Sequence, residues 1–332
     1  MIRVRTITDI DRCRELWNEL MPHDLVSDLW EVRACFHHQY GHQPNFVVAE
    51  EGGQVVGFLP LSLNKETGQY NYFPGETWEG KTWLEQNRIM AADRTTLNAM
   101  LADLRHPYQL RYLRKDWFWC DPNASVDELD YLFLPEAYGF QAEQYLESFS
   151  RKSAKKLRKE LAVWDNRSIE WRVNRVEDFE VLCDMNRSRF GRLSYFNDER
   201  FLESFRSLLR LLEERGWLHL MTLIVDGVPA AVDMGSLYNG MLTMLAGGTN
   251  AAFPGIAKVI NMRHIRYACD ERLDSVDFLC GDFNWKSQFH LTPSPLYVLE
   301  GKPQVRSLER PFIASPSLRY GRGRVPRGAP HV

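Results

Sequence analysis

The stretch from Met241 to Phe289 constrains the fold most. It opens with an apolar run, Met241 to Ala246, that reads as a buried strand ending at Gly247-Gly248. A polar loop through Thr249-Asn250 leads to Phe253-Pro254-Gly255. Apolar residues then recur at helical spacing, at Ile256, Val259, Ile260, Met262, Ile265 and Ala268. Ser275 to Leu279 predicts the next strand, followed by Gly281-Asp282 and a polar-aromatic stretch that reaches Lys286. Strand, glycine loop, helix and parallel strand form one unit, and such a unit aims the free N–H groups of a helix N-terminus at one spot. Pro254 suits helix entry, Gly255 allows close approach to the backbone, and Lys258 adds a charge one turn in. In outline this is an anion cradle, although neither GxxxxGK[ST] nor GxGxxG is present there. A helix packed tightly on a sheet, with glycines serving only for turns, explains the same pattern.

A chain of 332 residues exceeds a typical single core and predicts two domains. The second half repeats the plan of the first. In each, two predicted helices precede a hairpin, one turning at Glu51-Gly52-Gly53 and the other at Asp226-Gly227. Each hairpin precedes a strand-helix-strand unit, which implies a duplicated α/β domain. The copies differ in chemistry, because the helix at Arg94 follows Ala-Ala-Asp without a glycine. The expected boundaries are 1–141, 142–309 and a basic tail over 310–332. Between the halves a long helix is expected from Ala142 to Trp164. It carries Arg151, Lys152, Lys155, Lys156, Arg158 and Lys159, which is either a solvated face or a site for an acidic group.

The net charge of −3 gives no global case for nucleic-acid binding, so any basic function is local. The six cysteines, at 13, 35, 120, 183, 269 and 280, show no zinc spacing and read as reduced thiols. His38 and His42 lack a third ligand, and no metal is expected. No signal-peptide core and no apolar run near 20 residues is present, which predicts a cytoplasmic protein without a membrane span.

The ordered set Ser150-Arg151-Lys152, Lys156-Leu157-Arg158, Gly227-Val228-Pro229, Gly247-Gly248-Thr249-Asn250, Pro254-Gly255, Asp277-Phe278-Leu279 and Gly281-Asp282 resembles the GNAT acyltransferases. The duplicated plan resembles their tandem branch, which includes the Fem peptidyltransferases and CelD-like acetyltransferases. The resemblance implies an α/β fold of two tandem GNAT-like domains with mixed central sheets flanked by helices. It also implies acetyl-CoA or another acyl-CoA along Met241 to Gly248, with its pyrophosphate at Gly255, Ile256, Ala257 and Lys258. The Pro254-Gly255-Ile256-Ala257 loop departs from the family's phosphate loop by lacking its Arg or Gln leader and second glycine.

Acyl transfer needs a deprotonated nucleophile and donors for the oxyanion. Backbone N–H groups near Gly247 and Gly248 are candidate donors. Asp233 within an apolar strand, Asp282 and Glu85 are candidate bases, and Lys286 is a candidate for neutralising charge. Trp83 and Asn87 flank Glu85 as candidate acceptor contacts, and Lys155, Lys156 and Arg158 as contacts to an acidic group. Tyr70, Tyr72, Phe73, Trp78 and Trp83 form either a sugar-binding wall or core. The expected acceptor is an amine or hydroxyl of a cell-envelope sugar, a sugar nucleotide or another small metabolite. A Fem-like transferase using aminoacyl-tRNA and a non-catalytic binding protein are the alternatives.

Overall fold

The computed structural model describes residues 1–115, 124–281 and 284–303. The first copy runs β1 (Arg3–Ile7), α1 (Ile10–Leu20), α2 (Trp30–Tyr40), β2 (Gln43–Glu51), β3 (Gln54–Asn64), β4 (Gln69–Tyr72), β5 (Met90–Ala91), α3 (Arg94–Ala102), β6 (Tyr108–Leu113) and β7 (Ser125–Phe133). Two helices link the copies, α4 (Ala142–Glu147) and α5 (Arg151–Ala162). The second copy runs β8 (Ile169–Val173), α6 (Asp178–Phe190), α7 (Glu199–Glu214), β9 (Leu218–Val225), β10 (Val228–Tyr238), β11 (Met241–Thr249), α8 (Ala257–Asp270), β12 (Ser275–Asp277), α9 (Asn284–Gln288) and β13 (Thr292–Gly301).

Local signals set these elements. Asp9, Asp93 and Asp198 cap α1, α3 and α7, accepting from the N–H groups of Arg12, Thr96 and Arg200 at 2.9, 2.7 and 2.8 Å. The two hairpins turn through paired left-handed residues, Gly52-Gly53 and Asp226-Gly227. Helix α7 buries a stripe at Phe201, Phe205, Leu208 and Leu212, packing mainly on α2, where Phe36 meets Phe201 and Phe205, and also on β9.

The duplicated plan is present: β1 to β4 and β8 to β11 are equivalent antiparallel meanders. They do not form separate sheets. The described strands join in the order β1-β2-β3-β4-β6-β13-β7-β12-β11-β10-β9-β8, with β5 beside β3. The last strand of each copy is exchanged: β7 pairs with β12 of the second copy, and β13 inserts between β6 and β7. The sheet is therefore continuous across Gln141.

Three elements differ from the sequence reading. The long linking helix is split, because Ser150 caps a new start at α5 and accepts from Ser153 N–H at 3.2 Å. Strand β11 does not end at Gly247-Gly248 but continues to Thr249. These glycines admit close packing: a Cβ on Gly248 would lie 2.8 Å from the Leu182 carbonyl oxygen, and one on Gly247 would meet the Asp233 carboxylate. The strand that the repeated plan expects ahead of the helix at Arg94 is instead an irregular segment over 82–89 that reaches β-structure only at Met90. The 310–332 tail lies outside the described residues.

Because each half is completed by a strand from the other, both should unfold together. Calorimetry should show one transition for the whole chain; two resolved transitions would mean that the exchanged strands do not couple the halves.

Candidate active site

Strands β11 and β12 run parallel only from Met241/Ser275 to Thr243/Asp277. Beyond that, β12 stops while β11 continues for six residues, so the two open into a fork. Met244 to Gly247 form one arm and Phe278 to Gly281 the other. A cleft of about 510 Å³ lies in the opening, walled further by Trp83, Glu85, Tyr112, Asn186 and Tyr195. The β10–β11 register slips at Met234/Gly235, leaving Leu245 without a partner opposite it on β10. This β-bulge sits on the cleft wall and re-aims the backbone there. Asn186 fixes the arm by donating to the Gly247 carbonyl at 3.1 Å, and Ser194 in turn donates to Asn186 at 2.7 Å.

The equivalent fork in the first copy, between β4 and β6, is plugged. Those strands pair at Tyr70/Tyr108 alone, and Asn87 lies beside β6. Asn87 N–H donates to the Tyr112 carbonyl at 2.9 Å, and its own carbonyl accepts from Arg114 at 2.8 Å. The plug carries Glu85 across to the open fork, where Glu85 accepts from Cys280 N–H at 2.7 Å. Burial pushes the Glu85 carboxyl up to about 8, with Asp130 adding to the rise.

Beneath Glu85 lies a cluster that single-residue reading missed. Asp277 is fully buried, accepts from Leu279 N–H at 2.8 Å and from the Gln86 amide, and meets the Asp130 carboxyl. Burial and then Asp130 raise Asp277 well above the usual carboxylate range. The signal was available: an acid amid apolar strand residues, Ser275-Val276-Asp277-Phe278-Leu279, as at Asp233.

Lys286 is not in the cleft. It is 2% exposed, and its ammonium donates to the carbonyls of Phe278, Leu279 and Cys280 at 2.9, 2.6 and 2.7 Å. Its three donors thus hold the second arm of the fork. Asp233 also lies outside the cleft, bonded to buried His264 of α8 at 3.1 Å. Asn87 is buried in the plug, whereas Trp83 lines the cleft and packs on Phe205 with centroids 4.7 Å apart. Tyr70, Tyr72 and Phe73 belong to the core rather than to a wall. Asp282 lies outside the described residues. Gly247 lines the cleft, while Gly248 is covered by α6. Gly255 faces open space, and α8 begins at Ala257 with no side-chain cap from Ile256. Lys258 pairs with Glu160 of α5. Lys155, Lys156 and Arg158 are exposed on α5 and do not reach the cleft.

Residues 148–287 match the acetyltransferase (GNAT) domain family. This half is a GNAT acyltransferase domain. Solved structures extend the likeness of fold to the whole chain. FemX matches with a TM-score of 0.53 and 11% identity, over 89% of this chain and 96% of that one. A tandem GNAT protein from the clavulanic acid biosynthesis pathway matches with a TM-score of 0.51 and 12% identity, over 92% and 100%. A conserved protein of unknown function from Bacteroides thetaiotaomicron VPI-5482 matches with a TM-score of 0.56 and 13% identity, over 91% and 100%. No curated protein matches the sequence. Among the described residues, no helix is long and apolar enough to cross a membrane.

Lys286→Met removes three hydrogen bonds from a buried ammonium while keeping the stem. It should cost at least about 1.5–3 kcal/mol, the range for a single hydrogen bond to a charged group. Denaturant unfolding checks this, and an unchanged midpoint would return Lys286 to a role in the cleft.

Proposed function

We propose that the protein transfers an acyl group from acyl-CoA to an amine of a small acceptor, within the cleft between β11 and β12. The observation that carries this reading is the open fork with a raised carboxyl, Glu85, on its opposite wall. In this reading the Leu245 bulge aims a backbone N–H at the carbonyl oxygen, where negative charge develops. Glu85 takes the proton as the acceptor nitrogen bonds to the acyl carbon. The carbon–sulfur bond then breaks, and the sulfur leaves as a thiolate that regains a proton. The Tyr195 hydroxyl, on the same cleft, is suited to supply it. Phosphates of the donor fit the start of α8, where Gly255 leaves space and Ile256, Ala257 and Lys258 form an uncapped first turn. An envelope sugar or other small metabolite remains the proposed acceptor.

Acyl-CoA binding, measured by calorimetric titration with acetyl-CoA and longer acyl-CoAs, tests the donor. No binding by any of them would remove this reading. Lys258→Ala should weaken the donor mildly, because Glu160 already engages that ammonium. Glu160→Gln should do the opposite and tighten binding, an effect that shrinks at high salt. Equal affinities in both variants would move the phosphates away from α8.

Glu85 acts as a base only when deprotonated. With its carboxyl near 8, kcat/KM should rise with pH through about 8 and level off above it. Glu85→Gln should lower the rate by about 10²–10⁴-fold, the range for a lost general base. A variant that keeps the wild-type rate would exclude Glu85 from the proton transfer.

One observation favours aminoacyl-tRNA as the donor instead. The basic face of α5, from Arg151 to Lys159, is exposed, and Lys156 shares a hollow of about 150 Å³ with Lys258 at the start of α8. Binding of charged tRNA with a steep salt dependence, lost on replacing Lys155, Lys156 and Arg158, would decide for that reading.

A further inference from the structure

The plugged fork of the first copy is not filled completely. Past the single β4–β6 pair, a chamber of about 20 Å³ remains, lined by Asn71, Glu76, Asn87 and Arg111 among others. It shares Thr77, Gly80 and Gln109 with a larger hollow of about 310 Å³ that includes Trp78 and Arg200. The hollow shares no lining residue with the acyl-transfer cleft, and of the chamber only Thr82 does.

Asn71 and Asn87 are 8% and 3% exposed. Their amide nitrogens are committed: Asn71 donates to the Gln109 carbonyl at 3.2 Å, and Asn87 to the Arg111 carbonyl at 2.8 Å. Flipping either amide would set oxygen against oxygen, so both orientations are fixed. Both Oδ1 atoms are buried without a partner. Two unpaired acceptors at one chamber are costly unless a donor occupies it, and the space holds one hydroxyl or one water.

The charges nearby are already matched. The Arg33 guanidinium, which donates to the carbonyls of Ser27 and Phe73, lines the chamber together with the Glu76 carboxyl, and Arg111 is paired with Asp127 at 2.7 Å. In the hollow, Arg200 pairs with Glu66. An uncharged hydroxyl needs no counter-charge in such a lining, whereas an added ion would compete with these pairs. In the hollow, Trp78 offers an aromatic surface, and Gln69, Thr67 and Gln109 offer polar groups. A flat apolar surface with polar neighbours suits a sugar ring, whose C–H faces are apolar and whose edges carry hydroxyls.

We propose that this hollow binds an uncharged saccharide unit, with its ring on Trp78 and one hydroxyl in the chamber donating to Asn71 or Asn87. The site stands whether or not the cleft transfers acyl groups. Trp78 is half-buried and touches Tyr195 with centroids 5.6 Å apart, so the hollow and the cleft are neighbours across one side chain.

The test titrates the full chain with glucose, galactose, N-acetylglucosamine and their disaccharides, using ethanolamine as a cationic probe. At least one saccharide should bind saturably, Trp78→Ala should weaken it tenfold or more, and ethanolamine should not bind. Circular dichroism and acetyl-CoA titration of Trp78→Ala keep a folding defect, or failure of the acyl-transfer reading, separate from loss of this site. The proposal is overturned if no saccharide in the panel binds, if binding survives Trp78→Ala, or if ethanolamine binds in its place. A crystal structure soaked in the tightest saccharide, showing only a water between Asn71 and Asn87, would also overturn it.

Discussion

The exchange of β7 and β13 is the constraint on which the rest depends. Had each half kept its own last strand, two sheets would meet at an ordinary domain interface and could shift against each other. Instead β7 pairs with β12 in the register Asp277–Leu132, and the Phe278 N–H donates to the Tyr131 carbonyl at 2.9 Å. Backbone hydrogen bonds thus fix the end of β12, the origin of one arm of the fork, to a strand of the other half. The Glu85–Cys280 bond then spans a gap that the sheet has already set. A site assembled from two copies needs this kind of rigidity, because small misplacements of reacting groups cost rate steeply.

The duplication also explains why one fork is open and one is plugged. Both copies present the same parallel strand pair followed by divergence. In the second copy the chain leaves β11 by a short loop and goes straight into α8. In the first, residues between β4 and β5 return through the fork, and Asn87 takes the place of a strand beside β6. Filling the first fork gives up one binding groove but projects Glu85 into the other. The two copies therefore divide the work: one shapes a groove and the other supplies a carboxyl.

Much of this was legible from local patterns. The hairpin turns, the helix caps at Asp9, Asp93 and Asp198, and the strand-helix-strand unit at Met241 are specified by short-range chemistry. Glu85 stood out as an acid in a mixed apolar and polar run, and it lines the cleft. The strand exchange was not legible, because pairing across the sheet depends on partners far apart in sequence that no local period encodes. Gly247 and Gly248 read as turn residues, yet their lack of a side chain answers to Asp233 and α6. Lys286 read as a group for the site because its partners are backbone carbonyls, which leave no mark in the sequence. The basic run of α5 was visible, but not the side on which it would lie.

The buried acids give the site its proton affinity. Glu85 and Asp277, with Asp130 beside them, face the Lys286 ammonium, whose own charge is disfavoured by burial. Crowded carboxyls in a low-dielectric interior resist ionising together, so Glu85 and Asp277 hold protons where isolated acids would lose them. Asp130 arrives on β7 and Asp277 on β12, so the strand exchange itself brings the like charges together. Lys286 also donates to three carbonyl oxygens of the fork arm, so the same ammonium serves the backbone as well as the acids. In the proposed reaction, a further cation beside Glu85 would return it towards an ordinary carboxylate, too weak a base to take a proton from the attacking amine. The arrangement that holds the fork open is thus also the one that keeps its carboxyl basic.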